Sequence, residues 1–227
     1  MDTVTKFRDR RTNVEQVFAA LYDDIITLQL LPGDKISEAD IATRLGVSRQ
    51  PVRDAFSRLE NLDLLVIRPQ KATEVKRFSL MAIEQSRFVR AAVEAEVLRR
   101  AAAQCDEAGK RALNDCLAQQ RQAVADNDYQ AFGVLDYAFH RILCEIARVG
   151  FAYDVISAEK GKLDRLCVLG LSKEDRMPQL LSDHIAIAER IIAGDGEGAV
   201  AAGKLHLSRL DETIDTIYTQ YPSYFDA

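Results

Sequence analysis

The sequence predicts a mainly α protein in two parts: three helices with a β-ribbon, then an all-α bundle of antiparallel helices. Three observations carry that prediction. Between Ser37 and Val75, two short runs of helical period flank a glycine and lead into two short β-prone runs. From Ser79 onward proline and glycine are sparse and every segment has helical period. No alternating strand pattern appears in that second stretch. The domains are therefore expected at 1–78, a winged helix–turn–helix, and at 79–227, the helical bundle.

The first part builds up in order. Residues 1–12 read as a polar arm whose Arg8, Arg10 and Arg11 could touch phosphates. Val14, Val17, Phe18, Leu21, Ile25 and Leu28 form one stripe of a helix that Pro32 and Gly33 terminate. Ser37 can cap the next helix, with Asp40 three residues on, and Ile41, Ala42 and Leu45 give it an apolar face. Gly46 breaks it where a left-handed residue is needed. Ser48 caps the following helix, which has Pro51 in its first turn. There Val52, Ala55, Phe56 and Leu59 face the core, while Arg49, Gln50 and Arg53 fall on the other side. This end of a recognition helix meets base edges in a major groove. Arginine can donate two hydrogen bonds to guanine, glutamine can pair with adenine, and either arginine can bind a phosphate instead. Residues 64–68 and 73–75 then flank Pro69-Gln70-Lys71-Ala72 as a hairpin with a basic tip. From Arg44 to Arg77 there are 8 Lys/Arg against 4 Asp/Glu, in a chain of net charge −5. The bland alternative is a helical hairpin with a solvated charged face; the order of elements and the local charge favour DNA binding.

In the second part helices are expected over 79–104 (with a possible break near Glu84), 107–127, 129–149, 151–171, 178–193 and 197–220. The separators are Asp126-Asn127-Asp128, Gly150, 172–177 and Gly194-Asp195-Gly196, and Pro222 stops the last helix. The composition, 48% hydrophobic and 29% charged, is that of a globular protein. Cys105, Cys116, Cys144 and Cys167 form no CxxC pair and read as reduced, packed thiols. The opening MDTVTKFRDRRTN holds no apolar signal region, and no apolar run approaches the ~18 residues of a membrane span. A cytoplasmic protein is expected. Its overall acidity confines DNA affinity to the local basic surface.

The three histidines are placed informatively. Asp136 and His140 are four apart on one helix and project from one face. His184 and His206 each lie 11 residues from Asp195, so an antiparallel hairpin brings them level. Taken singly, each could be an ordinary core or surface histidine. Together, one carboxylate and three imidazoles make a ligand set for a divalent transition metal such as Zn, Ni, Mn or Fe.

Two resemblances follow from these residues. The run PGDKISEADIATRLGVSRQPVRDAFSRLE resembles the winged helix of the GntR family of bacterial transcription regulators. PG, S-E-x-x-I-A, L-G-V-S-R, P-V-R-D-A and R-L-E all stand at the family spacing. The resemblance implies that Arg49 and Arg53 contact operator DNA and that Lys71, at the wing tip, reaches the minor groove; Gln50 and Ser48 complete the expected set. Asp63 and Ala72 stand where the family usually has glycine, so positive φ there would fall on residues with a Cβ. The second resemblance is to the FadR subfamily, whose all-helical effector domain is called FCD. It rests on Arg90-x-x-x-Glu94, the Asp136–His140 run, Asp183-His184 before A-x-x-x-I-x-x-G-D, and His206. It implies that Asp136, His140, His184 and His206 hold a divalent metal and that a small carboxylate effector binds beside it. Gly150 stands where many members have an asparagine near the effector. Helix phase and the family pattern together assign Arg90 and Arg165 to that effector. For Arg90, a salt bridge with Glu94 is the competing reading.

The function expected is a ligand-responsive transcription regulator, a repressor, acting as a homodimer on double-stranded operator DNA. Twofold symmetry supplies the second half-site that one winged helix lacks. The effector would be an organic or sugar acid. Two alternatives stay open: a regulator for which the ion itself is the signal, and a metal-dependent hydrolase fused to a DNA-binding module. The second lacks a free general base, because Asp136 is already a ligand.

Overall fold

The computed structural model describes residues 12–166 and 176–226. The expected arm before residue 12, Cys167 and the end of the helix expected to reach 171 lie outside them. The described chain divides into two units, one running to Phe78 and including the segment from Ser223, the other Ser79–Pro222.

In the first unit α1 (Asn13–Ile26) starts on Thr12, whose hydroxyl accepts from the Glu15 amide while the Glu15 carboxylate accepts from the Thr12 amide. The helix stops short of Leu28, which takes φ 60° just beyond the C-cap. Next come β1 (Lys35–Ile36), α2 (Glu38–Leu45), α3 (Arg49–Asn61), β2 (Leu65–Val66) and β3 (Thr73–Val75). The strands form one antiparallel sheet in the order β1-β3-β2, with Ile36 opposite Thr73 and Leu65 opposite Val75. Strand β1 has two residues, too few to show an alternating pattern, and was not expected. Val17, Leu21 and Ile25 of α1 close over Val52, Ala55, Phe56 and Leu59 of α3, all 2% exposed or less.

Both glycine departures are resolved by the backbone. Asp63 adopts φ 62° after α3, and the amide of Leu64 bonds back to the carbonyl of Leu59 at 2.9 Å. That is a glycine-type helix end carried by an aspartate, which tolerates the left-handed region better than branched residues do. Lys76 pairs with its carboxylate. At the wing tip the positive φ falls on Gln70 (59°), not Ala72. Pro69 precedes it, and Lys71 N–H bonds Arg68 carbonyl at 3.2 Å, so the tip is a proline turn that needs no glycine at position 72.

The second unit holds α4 (Leu80–Gln104), α5 (Glu107–Ala125), α6 (Tyr129–Ile146), α7 (Phe151–Gly161), α8 (Met177–Ile192) and α9 (Gly196–Gln220). Ser79, Asp106, Asp128 and Asp195 cap α4, α5, α6 and α9 by accepting from the amide three residues on. Helix α4 is unbroken at Glu84. Helix α7 ends at Gly161, and residues 164–166 are helical again, so the span expected over 151–171 is interrupted. Cys105, Cys116 and Cys144 are free thiols, and burial pushes that of Cys144 up to about 12. No helix among the described residues is long and apolar enough to cross a membrane.

One boundary differs from the sequence reading. The second domain was expected to run to 227, but the chain after Pro222 belongs with the first unit. The amide of Phe78 bonds the carbonyl of Tyr224, and the amide of Asp226 bonds the carbonyl of Phe78, both at 2.8 Å. The Phe78 and Phe225 rings meet at 5.4 Å, and both residues are buried. Pro222 ends α9, as expected, but the segment beyond it is anchored by strand-like pairing and an apolar contact.

Candidate functional sites: a reading helix and a buried histidine cluster

In the first unit Ser37 caps α2 by accepting from the Asp40 amide at 3.1 Å, and Gly46 ends that helix at φ 66°. Ser48 occupies the N-cap of α3 in extended conformation, but its side chain makes no capping bond. Its exposed hydroxyl stands beside exposed Arg49 and Gln50 at the start of α3. The structure thus brings Ser48, Arg49, Gln50 and Arg53 to one solvent-facing helix end, and Lys71 is exposed at the wing tip. Two of these side chains are tethered within the unit. Arg53 donates Nε and Nη2 to the two carboxylate oxygens of Glu38, at 3.0 and 2.8 Å, and Gln50 donates to Asp54 at 2.8 Å.

In the second unit α6 carries Asp136 and His140, α8 carries His184, and α9 carries His206, all buried. One donor atom from each lies within 4.8 Å of every other. Turning at Gly194 (φ 73°), the α8–α9 hairpin sets the His184 and His206 rings 4.7 Å apart. His140 is 5.7 Å from His206 and 6.1 Å from His184.

The surroundings fix the rings. Gln120 on α5, fully buried, donates its amide to the Leu135 carbonyl at 3.2 Å, which turns its oxygen toward His184 Nδ1 at 2.8 Å. Nδ1 therefore carries the proton and Nε2 presents a lone pair, 3.3 Å from Asp136 Oδ1. Phe139 stacks on the same ring at 4.3 Å. His140 Nδ1 lies 3.2 Å from Glu94 Oε2, and His206 Nδ1 lies 3.8 Å from Asp183 Oδ2, which Arg209 also holds at 3.2 Å. Lys160 on α7 places Nζ 2.9 Å from Asp136 Oδ2, 3.5 Å from Asp164, and over the Tyr137 ring at 3.9 Å.

These contacts set the charges. Burial would push the Asp136 carboxyl up, but Lys160 and the histidines outweigh it and hold it well below the usual carboxylate range. Burial likewise opposes the charge of Glu94, and Arg90 and His140 overcome it. For His184 burial dominates over the neighbouring Asp136 carboxylate and lowers the pKa to about 4, so the ring is neutral and able to ligate.

The cluster fits a divalent cation on its own chemistry. His140 Nε2, His184 Nε2 and His206 Nδ1 are buried without a hydrogen-bond partner. Such orphans cost about 1–3 kcal/mol each unless something else satisfies them. Opposite ligands on bonds of about 2.0–2.2 Å stand roughly 4.0–4.4 Å apart, so donor atoms within 4.8 Å of one another are close to the spread an ion needs.

The two effector candidates are also buried. Arg90 donates Nε to Glu94 Oε1 at 2.8 Å, so the competing reading of this residue describes a bond that is present. Arg165 lies where the described chain is helical over 164–166. Gly150 is exposed at the start of α7, with open space where a side chain would project. Sequence reasoning missed Gln120, Lys160 and the orienting part of Asp183. A signal existed for the first two: each is a polar residue in an apolar stripe, Leu113-Cys116-Leu117-Gln120-Ala123 and Ala152-Ile156-Lys160.

Comparison with known proteins agrees with this division. Residues 13–75 match the description "Bacterial regulatory proteins, gntR family", and residues 85–209 match "FCD domain". The chain is 32% identical over 211 residues to the HTH-type transcriptional repressor RspR of Escherichia coli K12, covering 93% of this chain and 92% of RspR. This protein belongs to the GntR family. Other relatives of this GntR regulator include LutR of Bacillus subtilis, 24% identical over 85% of this chain and 96% of LutR. The "Probable D-xylose utilization operon transcriptional repressor" of Paenarthrobacter nicotinovorans is 26% identical over 92% of this chain and 91% of its own. Among solved structures, a GntR regulator from Rhodococcus sp. RHA1 shares the fold at TM-score 0.71 and 21% identity, over 90% of this chain and 99% of its own. E. coli McbR/YncC does so at 0.69 and 18%, over 93% and 99%. The chain is a transcriptional regulator with a GntR helix–turn–helix and an FCD domain, and both families are regulators rather than enzymes.

Proposed function

We propose that this regulator represses transcription as a homodimer on operator DNA, and that its FCD bundle senses a small carboxylate beside a divalent metal. The convergence of Asp136, His140, His184 and His206, with buried imidazole nitrogens left unpartnered, carries the sensing half. An ion held by four protein ligands supplies open coordination positions to an anionic ligand. Around it Gln120 and Phe139 hold His184, the Asp183 carboxylate stands 3.8 Å from His206 Nδ1, and Lys160 neutralises one oxygen of Asp136. Arg165, Lys160 and Arg90 are the buried cations assigned to a carboxylate effector, Lys160 engaged by Asp136 and Arg90 by Glu94.

For the reading half, Arg49, Gln50 and Arg53 meet base edges or phosphates from the end of α3, Ser48 bonds the backbone, and Lys71 follows the minor groove. The dimer is supported by large apolar side chains left exposed on α4 and α7. Phe88 and Phe151 are about three-quarters exposed, Met81 and Val155 extend the same helices' outer faces, and Ser86 ties the two helices at Glu159 with a 2.7 Å bond. A difference of ~1–3 kcal/mol in effector binding between two packings of the bundle would change operator affinity 5- to 150-fold.

Equilibrium dialysis against Zn, Ni, Mn and Fe, then DNA binding with and without chelator and with organic and sugar acids, tests this reading. Stoichiometric metal and acid-dependent DNA release are expected. A chelator effect with no acid effect favours the ion itself as signal. Absence of metal binding refutes the sensing half.

A further inference from the structure

The two tethered side chains of the reading helix differ from their neighbour. Among the described residues Arg49 makes no hydrogen bond or ion pair, whereas Arg53 is gripped by Glu38 through two parallel bonds. Glu38 stands in the first turn of α2, fifteen residues earlier, and its carboxylate is itself one-third exposed. The grip takes up Nε and one hydrogen of Nη2. It leaves the second edge of the guanidinium, Nη1 with the remaining Nη2 hydrogen, with two parallel donors turned away from Glu38. Two parallel donors are what guanine O6 and N7 accept.

We propose that Glu38 is a positioning residue for sequence recognition: it locks the Arg53 guanidinium so that the free edge reads a guanine while Arg49 remains a mobile phosphate contact. This rests on the reading of α3 given above and names the group that makes its arginine selective. A carboxylate so placed has a second effect. It repels the phosphate backbone of any duplex, so it weakens indiscriminate binding. Locking also reduces the side-chain freedom lost when the contact forms, which favours the matching base alone. Removing Glu38 should therefore move specific and non-specific binding in opposite directions. A carboxylate that only joined two helices would move them together.

The experiment uses the full-length protein, a duplex enriched from a random library by the wild type, and a scrambled duplex of equal length. Fluorescence anisotropy at fixed salt gives the two dissociation constants. In Glu38→Ala the enriched-to-scrambled preference should fall at least about tenfold, with scrambled DNA bound a few-fold tighter. Glu38→Gln, which keeps one acceptor oxygen, should recover part of the preference. In an Arg53→Ala background, Glu38→Ala should cause no further loss. Parallel weakening on both duplexes, an unchanged preference, or a loss that persists without Arg53 would each overturn the assignment. If the wild type enriches no duplex, the DNA-reading proposal falls and the role of Glu38 falls with it; enrichment with an unchanged preference in Glu38→Ala removes Glu38 alone.

Discussion

The two units handle charge in opposite ways. On α3 the charged groups stand in water: Arg53 is more than half exposed, and Arg44 pairs with Asp24 across α1 and α2 in a similar setting. In the bundle Asp136, Lys160, Glu94 and Arg90 carry charge at 8% exposure or less. Exposed pairs contribute little to stability because solvent screens them, so their geometry is free to serve recognition. Buried pairs are different, because removing one partner leaves a charge with nowhere to go. The lesson is that similar residue types act as readers in one half and as structural ties around a sensor in the other.

The largest expected effect tests that contrast directly. Asp136→Asn should destabilise the protein by about 3 kcal/mol in chemical denaturation, because Lys160 loses its nearer carboxylate inside the bundle. A loss below about 1 kcal/mol would mean the site is wetter than its burial implies. Metal should act next. At 100-fold excess over its dissociation constant a bound ion should add about 2.7 kcal/mol, read as a higher unfolding midpoint that chelator reverses.

Acid sharpens the same point. The His184 pKa is about 4 folded and 6.5 free. The unfolded chain therefore takes up that proton first, and the contribution of the neutral ring is complete above pH ~6.5 and lost as pH falls toward about 4. The depressed carboxyls of Asp136 and Glu94 push the same way at lower pH. Denaturation midpoints should fall between pH 7 and pH 4.5, with metal released over that range. A midpoint independent of pH there would contradict a neutral buried ring.

On the exposed side Arg53→Ala should weaken binding to a selected duplex about tenfold or more. The same change should leave the unfolding midpoint nearly unmoved. The smallest effect is expected for Arg44→Ala, under about 1 kcal/mol in stability, since its bond to Asp24 is solvent-screened.

The same contrast explains what the sequence revealed. Ser37, Gly46 and the apolar stripe of α3 are local signals, and each stands where its spacing puts it. The 11-residue symmetry about Asp195 placed His184 beside His206 because an antiparallel helical hairpin leaves little choice. Gln120 sits 64 residues before His184, and no local pattern says that α5 will deliver it. Lys160 interrupts the apolar stripe of α7, but its partner Asp136 comes from α6, 24 residues earlier, and no local pattern names that pairing. Strand β1 was too short to announce itself, and Gln70 rather than Ala72 bends the wing because Pro69 dictates which residue turns. What escaped was decided by partners distant in the chain or by choices between adjacent residues.

The pairing of Tyr224, Phe225 and Asp226 with Phe78 bears on how the protein is handled in the laboratory. A tag fused directly behind Asp226 sits next to the DNA-binding module, because residues 224–226 pair with Phe78. A fragment stopped at 78 would strip that module of two backbone bonds and a phenylalanine contact. Studies of the isolated reader should supply residues 223–227 in trans or splice them on, and tags belong elsewhere.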